Sequence, residues 1–309
     1  MDGLWIPVTI GAAFFQSVRT ALQKYLKAHH LSTNGSAFTR FFYGFPFALL
    51  YVFALHHGAG LDWPVPHAEF FLWIVVGGVT QIIATSLLIY VFEFRNFPVG
   101  IAYSKTEVVQ AAVFGLVFLG DRVTPWGIGA ILVSTVGVML ISLVKSDKPM
   151  RAFLTGWVEK PALIGMASGA FFAVAAIGFR GASLSLNHGD FAMSAGYSLA
   201  WATAIQTVML GVYLFWREPE QIGRVLSSWR VASLVGVSSA AGSICWFTAM
   251  TIQVVAYVRT LGLIELIFTF LIPALAFRER PSSTEVAGIL LVVVGIAMAF
   301  GPKIKSMLS

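Results

Sequence analysis

Six ionisable side chains stand inside strongly apolar stretches: Arg19, Arg40, Lys105, Glu107, Arg259 and Glu265. An ionisable group at the centre of a membrane-spanning helix costs roughly 2.5–3.5 kcal/mol on insertion scales, so such groups face a bundle interior or a wet cavity. Glu107 and Glu265 stand out because they occupy the same place in two copies of one pattern, offset by about 158 positions. In the first copy Asp121-Arg122 closes the apolar run that holds Glu107; in the second, Glu279-Arg280 closes the run that holds Glu265. Two acids at corresponding depths could bind a cationic group or carry a proton. The alternative is that each is neutralised by an internal arginine and serves packing.

The neighbours of these acids refine the chemistry. On a continuous helix Tyr103 and Gln110 share a face with Glu107, at spacings of four and three, presenting a phenol, an acid and an amide together. Beside Glu265 the same spacings give Leu261 and Phe268, an apolar side. Lys105 and Arg259 point away from the acids of their own helices, and Lys105 is placed to snorkel or to meet a charged solute. Arg40, early in its segment, suits an anion clamp, a bridge to one of the acids, or snorkelling. Arg19 lies nearer mid-span and is matched by Ala176 in the other half, an asymmetry through which specificity could enter. Gln16, Gln23 and Gln81 are weaker candidates, since most uncharged polar groups in spans simply bond neighbouring helices. The Phe14-Phe15 and Phe171-Phe172 pairs suit aromatic packing more than gating. The six histidines fall in loops or at span ends with no metal-ligand spacing.

The elements that must carry these residues are helical and membrane-spanning. The chain has 309 residues, 58% hydrophobic and only 11% charged, with a mean hydropathy of +0.82; a soluble domain carries about 25% charged residues. The strand alternation of an outer-membrane barrel is absent. The net charge of +6 forms no basic tract, so it reads as a topology signal and not as a nucleic-acid footprint. A single cysteine, Cys245, allows no disulfide framework or zinc cluster within one chain. There is no cleavable signal with a basic start, and the first segment is expected to be retained.

The expected architecture is an all-α membrane protein with ten transmembrane helices in two inverted five-helix repeats, 1–149 and 150–309. The expected spans are 4–26, 35–56, 69–92, 98–119, 125–144, 161–181, 191–216, 230–252, 256–277 and 284–301. Pro46 and Pro273 are expected to kink their helices. Trp5, Trp63, Trp126, Trp157, Trp216 and Trp229 fall near helix ends, as an interfacial belt does, while Trp201 and Trp246 sit mid-span. Lys24, Lys27, Arg95, Lys145, Lys148, Arg151, Lys160, Arg217, Arg224, Arg230, Arg278 and Arg280 collect on one face; only Arg122, Arg180, Lys303 and Lys305 fall on the face that holds both termini. The positive-inside rule then puts both termini outside the cytoplasm.

The same residues resemble a family. The sequence is similar to the drug/metabolite transporter superfamily, in its ten-helix EamA-like branch. The family's Leu-Gly-Glu-Arg-Leu-Thr-like motif is matched by Leu119-Gly120-Asp121-Arg122-Val123-Thr124 and by Phe277-Arg278-Glu279-Arg280-Pro281-Ser282. The Gly-, Ile- and Leu-rich helix that follows is matched by Ile128-Gly129-Ala130-Ile131-Leu132 and Val286-Ala287-Gly288-Ile289-Leu290, and the early arginine of the second helix by Arg40. Two departures stand. The family's Glu-Pro becomes Glu107-Val108 and Glu265-Leu266, which removes the proline behind a kink there. The loop between the second and third helices lacks the basic residues common in relatives, which goes with the reversed orientation.

A membrane chain built of two related halves is the signature of many secondary transporters, with a solute site near the bilayer midplane. The expected function is transport of a small polar metabolite, an amino acid-like zwitterion or an organic anion, by alternating access with proton coupling or exchange. The expected site residues are Glu107, Glu265, Arg40, Arg19, Tyr103, Gln110 and Lys105, with no catalytic or metal site and no cofactor. The expected partners are a small solute and the lipid bilayer, without nucleic acid, in a monomer or homodimer of the plasma (inner) membrane. The alternatives are a channel or lipid scramblase on the same fold, and an intramembrane enzyme, against which stands the lack of any His-Glu-x-x-His or Gly-x-Ser-x-Gly pattern.

Overall fold

The computed structural model describes residues 3–29, 31–91, 93–95, 97–143, 156–266 and 282–308. Among them every regular element is helical. In chain order these are α1 (Trp5–His29), α2 (Thr33–Phe42), α3 (Phe45–Ala59), α4 (Ala68–Val91), α5 (Phe97–Ser104), α6 (Glu107–Leu119), α7 (Pro125–Leu143), α8 (Lys160–Ser185), α9 (Phe191–Arg217), α10 (Pro219–Ser227), α11 (Trp229–Ile252), α12 (Val255–Gly262) and α13 (Ser283–Leu308). A short 3-10 turn, Gly156–Val158, precedes α8.

Seven described segments are long and apolar enough to cross a bilayer: Thr33–Ala59, Ala68–Val91, Val99–Leu119, Pro125–Leu143, Lys160–Ser185, Phe191–Arg217 and Trp229–Ile252. The sequence suggests ten. α1 has the length, 25 residues, but Gln16, Arg19, Gln23 and Lys24 dilute its apolar character. The ninth expected span is described only as far as Leu266, so its remainder, with Phe268, Pro273 and the second motif copy up to Pro281, lies outside the described residues. The tenth contributes a shorter apolar helix, Ser283–Ala299. The stretch 144–155, with Lys145, Lys148 and Arg151, also lies outside them, as does His30.

Element boundaries repeat at the offset seen in the sequence. α5 and α12 begin and end at corresponding positions, as do the starts of α7 and α13, the start of α2 and of α9, and the end of α3 and of α9. The caps repeat too. The Ser32 hydroxyl accepts from Gly35 N at the start of α2, and the Asp190 carboxylate accepts from Met193 N at the start of α9. The last residue of the family-like motif does the same work in both copies. Thr124 Oγ1 accepts from Gly127 N, and Ser282 forms a reciprocal capping box with Glu285. Gly120 in that motif ends α6 at φ 67°, the left-handed conformation that favours glycine, and Asp121 N donates back to Gly115 O.

The chain forms two compact units, and the division runs through α4 and α8. One unit comprises Met1–Val79 and Gly178–Ile252, the other Thr80–Ile177 and Gln253–Ser309. Each unit therefore takes helices from both repeats.

In the first unit α1 lies along α11, and α9 packs on α2, α3 and α11. The α1–α11 seam is polar as well as apolar: Trp246 Nε1 donates to Gln16 Oε1 at 3.0 Å. Most buried hydroxyls here satisfy themselves on their own helix one turn back, as Thr9 does on Trp5 O and Thr203 on Leu199 O. The expected kink at Pro46 appears as the break between α2 and α3, with Pro46 in the first turn of α3, where its missing N–H costs least. Trp5, expected at the interface, is instead buried at 4% exposure, whereas Trp126, Trp157, Trp216 and Trp229 are exposed.

In the second unit α7 lies along α13, α5 packs on α7, and α12 on α6, α7 and α13. The α7–α13 crossing is close enough that a Cβ at Gly137 would sit 2.7 Å from Gly288 O. An apolar cluster of Val108, Ile131, Val138, Ile141, Ala256, Leu263 and Val292 fills the space between α6, α7, α12 and α13.

Candidate functional site

The segment that carries Glu107 is an interrupted helix. α5 stops at Ser104 and α6 begins at Glu107, with Lys105 and Thr106 in a turn between them. Lys105 N donates to Ala102 O and Thr106 N to Tyr103 O, the tighter i→i−3 pattern of a 3-10 turn. No proline is needed. The Ser104 hydroxyl donates to Ile101 O at 2.8 Å and the Thr106 hydroxyl to Tyr103 O at 2.6 Å, so the side chains take carbonyls that a regular helix would use. The second repeat breaks at the corresponding place. α12 ends at Gly262, a poor helix former, Leu263 N donates to Thr260 O, and Leu266 N donates to Leu263 O. Both acids thus stand just past an interruption, Glu107 in the first turn of α6 and Glu265 two residues beyond Leu263.

Glu107 has a charged partner. Its Oε1 lies 3.3 Å from Arg259 Nε, with the two side chains 16% and 20% exposed respectively. The pair joins an acid of the first repeat to a base of the second. Reading each helix by itself directed Arg259 away from Glu265 and left its partner unnamed. The signal was present in the pairing of the copies: Arg259 answers Ile101, so the second repeat's α12 holds the one cation of these matched positions, opposite the acid of the first. The alternative of an acid neutralised by an internal arginine is thereby realised for Glu107, with both contacting atoms buried.

α8 closes on this interruption. A Cβ at Gly169 would fall 2.6 Å from Ser104 O and 3.2 Å from Glu107 N, so only glycine lets α8 approach so near. Gln110 Nε2 donates to Thr106 Oγ1 at 3.2 Å and to Met166 O at 3.4 Å, which ties the first turn of α6 to the turn before it and to α8. Gln110 Oε1 is buried and accepts no hydrogen bond among the described residues. Tyr103 sits on the other side of the interruption, 5% exposed, its ring among Val99, Ala102, Met139, Leu143 and Ala162. Tyr103 thus precedes the interruption and Glu107 follows it. Lys105 occupies the turn itself and is half-buried.

The remaining candidates lie in the other unit. Arg19 is buried on α1 at 8% exposure. It falls between Gln16, which accepts from Trp246, and Gln23, whose Nε2 donates to Ser36 O at 2.9 Å. Arg40 is half-buried in the last turn of α2, where a cation suits the helix C-terminus, and its guanidinium lies 5.0 Å from the Phe41 ring centroid.

Arg180 is a buried charge that the sequence concealed. The expected span ends at 181, which places Arg180 among the loop cations. α8 instead continues to Ser185, and Arg180 is 9% exposed. Its Nη1 donates to Met250 O at 2.5 Å and to Thr251 O at 3.1 Å. These are carbonyls of the last turn of α11, which have no partner within their own helix. The cation therefore caps a helix terminus and is no loop charge.

The comparisons with known proteins agree with this construction. A solved structure described only as the crystal structure of a protein aligns over 97% of this chain and 98% of its own, with a TM-score of 0.70 and 16% identity. That likeness shows the fold alone. No curated protein matches the sequence. The model of the EamA-like transporter family matches twice, over residues 3–143 and 160–301. The two matches take in all the seven candidate site residues and both interrupted helices, and the chain belongs to the EamA-like transporter family, a multi-pass membrane protein of the drug/metabolite transporter superfamily.

Proposed function

We propose that this protein is a secondary carrier, and not an enzyme, that moves a small polar metabolite across the plasma (inner) membrane by alternating access. The solute is an amino acid-like zwitterion or an organic anion, and movement is coupled to protons or to exchange. Ten spans in two inverted repeats carry it, in a monomer or homodimer, with both termini on the non-cytoplasmic side. The observation that carries this reading is the Glu107–Arg259 pair at an interrupted helix of a transporter-family chain. Interrupted helices at membrane depth are tolerated where they are buried in protein or line a cavity, and they recur at carrier sites. Glu265, just past the matching interruption, supplies a second acid of the same unit. The small-residue approach of α8 at Gly169 supports a site built for helix movement at close quarters.

The test is flux through purified protein in proteoliposomes, by counterflow of a labelled metabolite extract, for the wild type, Glu107→Gln and Glu265→Gln. Saturable counterflow, reduced tenfold or more in at least one variant, is the expected outcome. Normal flux in both variants removes the acids from the mechanism. Unsaturable conductance, or lipid movement without solute counterflow, would favour the channel or scramblase alternative. A compartment-sensitive reporter on the C-terminus tests orientation, and the expected signal is non-cytoplasmic.

A further inference from the structure

We propose that the corner between α10 and α11 is a binding site for the headgroup of an anionic phospholipid, with Arg230 meeting its phosphate. This goes beyond the carrier reading and stands without it. Every residue that lines the site belongs to the unit of Met1–Val79 and Gly178–Ile252, whereas the α5–α6 interruption belongs to the other unit.

A cavity of about 390 Å³ opens at this corner, lined by Tyr25 and Leu26 near the end of α1 and by the turn from Ser227 to Val231. Sites for small ligands span roughly 300–1,000 Å³, so the volume suffices for a headgroup. Leu26 gives the cavity a buried apolar wall. The hydroxyls come from Tyr25, Ser227 and Ser228, and the Ser228 side chain has no hydrogen-bond partner among the described residues. The α10 side of the corner is held in place. Ser32 N donates to Gln221 Oε1 at 2.8 Å, and Ser32 Oγ and Asn34 Nδ2 donate to the two carboxylate oxygens of Glu218 at 2.5 and 2.7 Å. These bonds fix α10 against the start of α2.

Charge decides the occupant. Arg230 is exposed, and its guanidinium lies 5.7 Å from the Trp229 ring centroid, a contact that orients it. It pairs with no carboxylate among the described residues. The acids of α10 are engaged elsewhere, Glu220 with Arg224 at 3.5 Å and Glu218 with Ser32 and Asn34. An uncompensated guanidinium therefore stands beside hydroxyls in one cavity, a donor set for phosphate oxygens. The surroundings put that cavity at headgroup depth. The span Trp229–Ile252 begins at this corner, and Trp229, Trp216 and Tyr25 are exposed, as aromatic side chains are at a membrane–water interface. Basic pockets between helices at this depth bind acidic lipid headgroups. A zwitterionic lipid brings its own ammonium to its phosphate, so an unpaired arginine selects a headgroup of net negative charge. Free phosphate shares the charge chemistry but lacks acyl chains to lie along exposed Leu226 and Trp229.

The experiment uses the full chain purified in detergent and mixed with equal amounts of phosphatidylglycerol and phosphatidylcholine, with retained lipid counted by native mass spectrometry. The wild type is expected to retain phosphatidylglycerol about fivefold over phosphatidylcholine. Arg230→Gln should lower that retention about threefold. Arg217→Gln, at an exposed arginine outside the cavity, should leave it unchanged. Ser227→Phe fills the cavity without altering charge and should also lower retention. All three positions are exposed, and a monodisperse size-exclusion peak checks that each variant folds. Equal retention of the two lipids by the wild type overturns the proposal. So does an equal loss in the Arg230 and Arg217 variants, which is the result diffuse surface charge gives. A last arm adds inorganic phosphate equimolar with the lipid. Undiminished retention supports the lipid headgroup, and displacement reveals a free-phosphate site and overturns the lipid assignment. Retention is read without transport, so failure of the counterflow assay would sink the carrier and leave this site standing.

Discussion

Neutralising one member of the Glu107–Arg259 pair leaves the other charge in a half-dry site, where its desolvation is no longer compensated. Neutralising both removes the problem. Glu107→Gln and Arg259→Gln are therefore expected to lower stability by more, added together, than the double variant does, with a coupling of about 1–3 kcal/mol. Thermal or denaturant unfolding in detergent measures this, and additive effects would mean that the pair does not form. Arg180 makes a second case. It satisfies two carbonyls at the end of α11, and hydrogen bonds to charged groups contribute about 1.5–3 kcal/mol. Arg180→Met should lower the unfolding temperature by several degrees without changing surface charge, because the guanidinium is buried. Exposed Arg224→Met should leave it nearly unchanged. The sequence made Glu107 and Glu265 legible, since burial of a charge in an apolar run is visible from composition alone. It did not make their partners legible. Which cation meets Glu107 depends on which helices pack together, and that information is spread over the small and apolar residues of four helices.

At the scale of the element, helix length and periodicity carried most of the fold, and the interruptions were the gap. Loss of the family's proline argued against a kink at Glu107, but proline is one route among several. Ser104 and Thr106 achieve the break by drawing backbone carbonyls to their own hydroxyls, and Gly262 achieves it through poor propensity. Such breaks are hard to read in advance, because Ser and Thr occur often inside spans without causing one. Helix ends were easier where a glycine marked them. Gly120 closes α6 in a left-handed conformation, and a Cβ there would meet nothing within 4 Å. Gly58, inside α3, is equally open around its Cβ position but has an ordinary helical backbone. The two sites separate backbone strain from packing. Gly120→Ala is expected to destabilise by about 1 kcal/mol, the cost of a Cβ in that region. Gly58→Ala should be neutral or stabilise by up to about 1 kcal/mol through helix propensity. Equal effects of the two substitutions, measured by unfolding in detergent, would contradict the assigned termination of α6.

The whole molecule is duplicated in sequence but interleaved in space. The family model covers each repeat separately, 3–143 and 160–301, whereas each compact unit combines segments from both. In one unit α1 of the first repeat lies along α11 of the second; in the other, α7 lies along α13. These two pairings are the most extensive helix–helix contacts of the described residues, and both cross between repeats. A repeat cut from its partner would leave those faces without their helical neighbour. The α7 face that meets α13 is shaped for it: Gly137 fits against Gly288, and Ser134 against Gly295. Lipid tails do not reproduce such close contact between backbones. Expression of residues 1–149 or 150–309 alone should therefore give little monodisperse material in detergent, read as the recovered peak in fluorescence-detected size exclusion. Co-expression of the two pieces should recover a single species at the size of the intact chain, because the contacts that hold each unit together are intermolecular in the split protein and need no covalent link. Two independently stable fragments would show that each repeat buries its own faces, and the crossed pairing of α1 with α11 and of α7 with α13 would have to be abandoned.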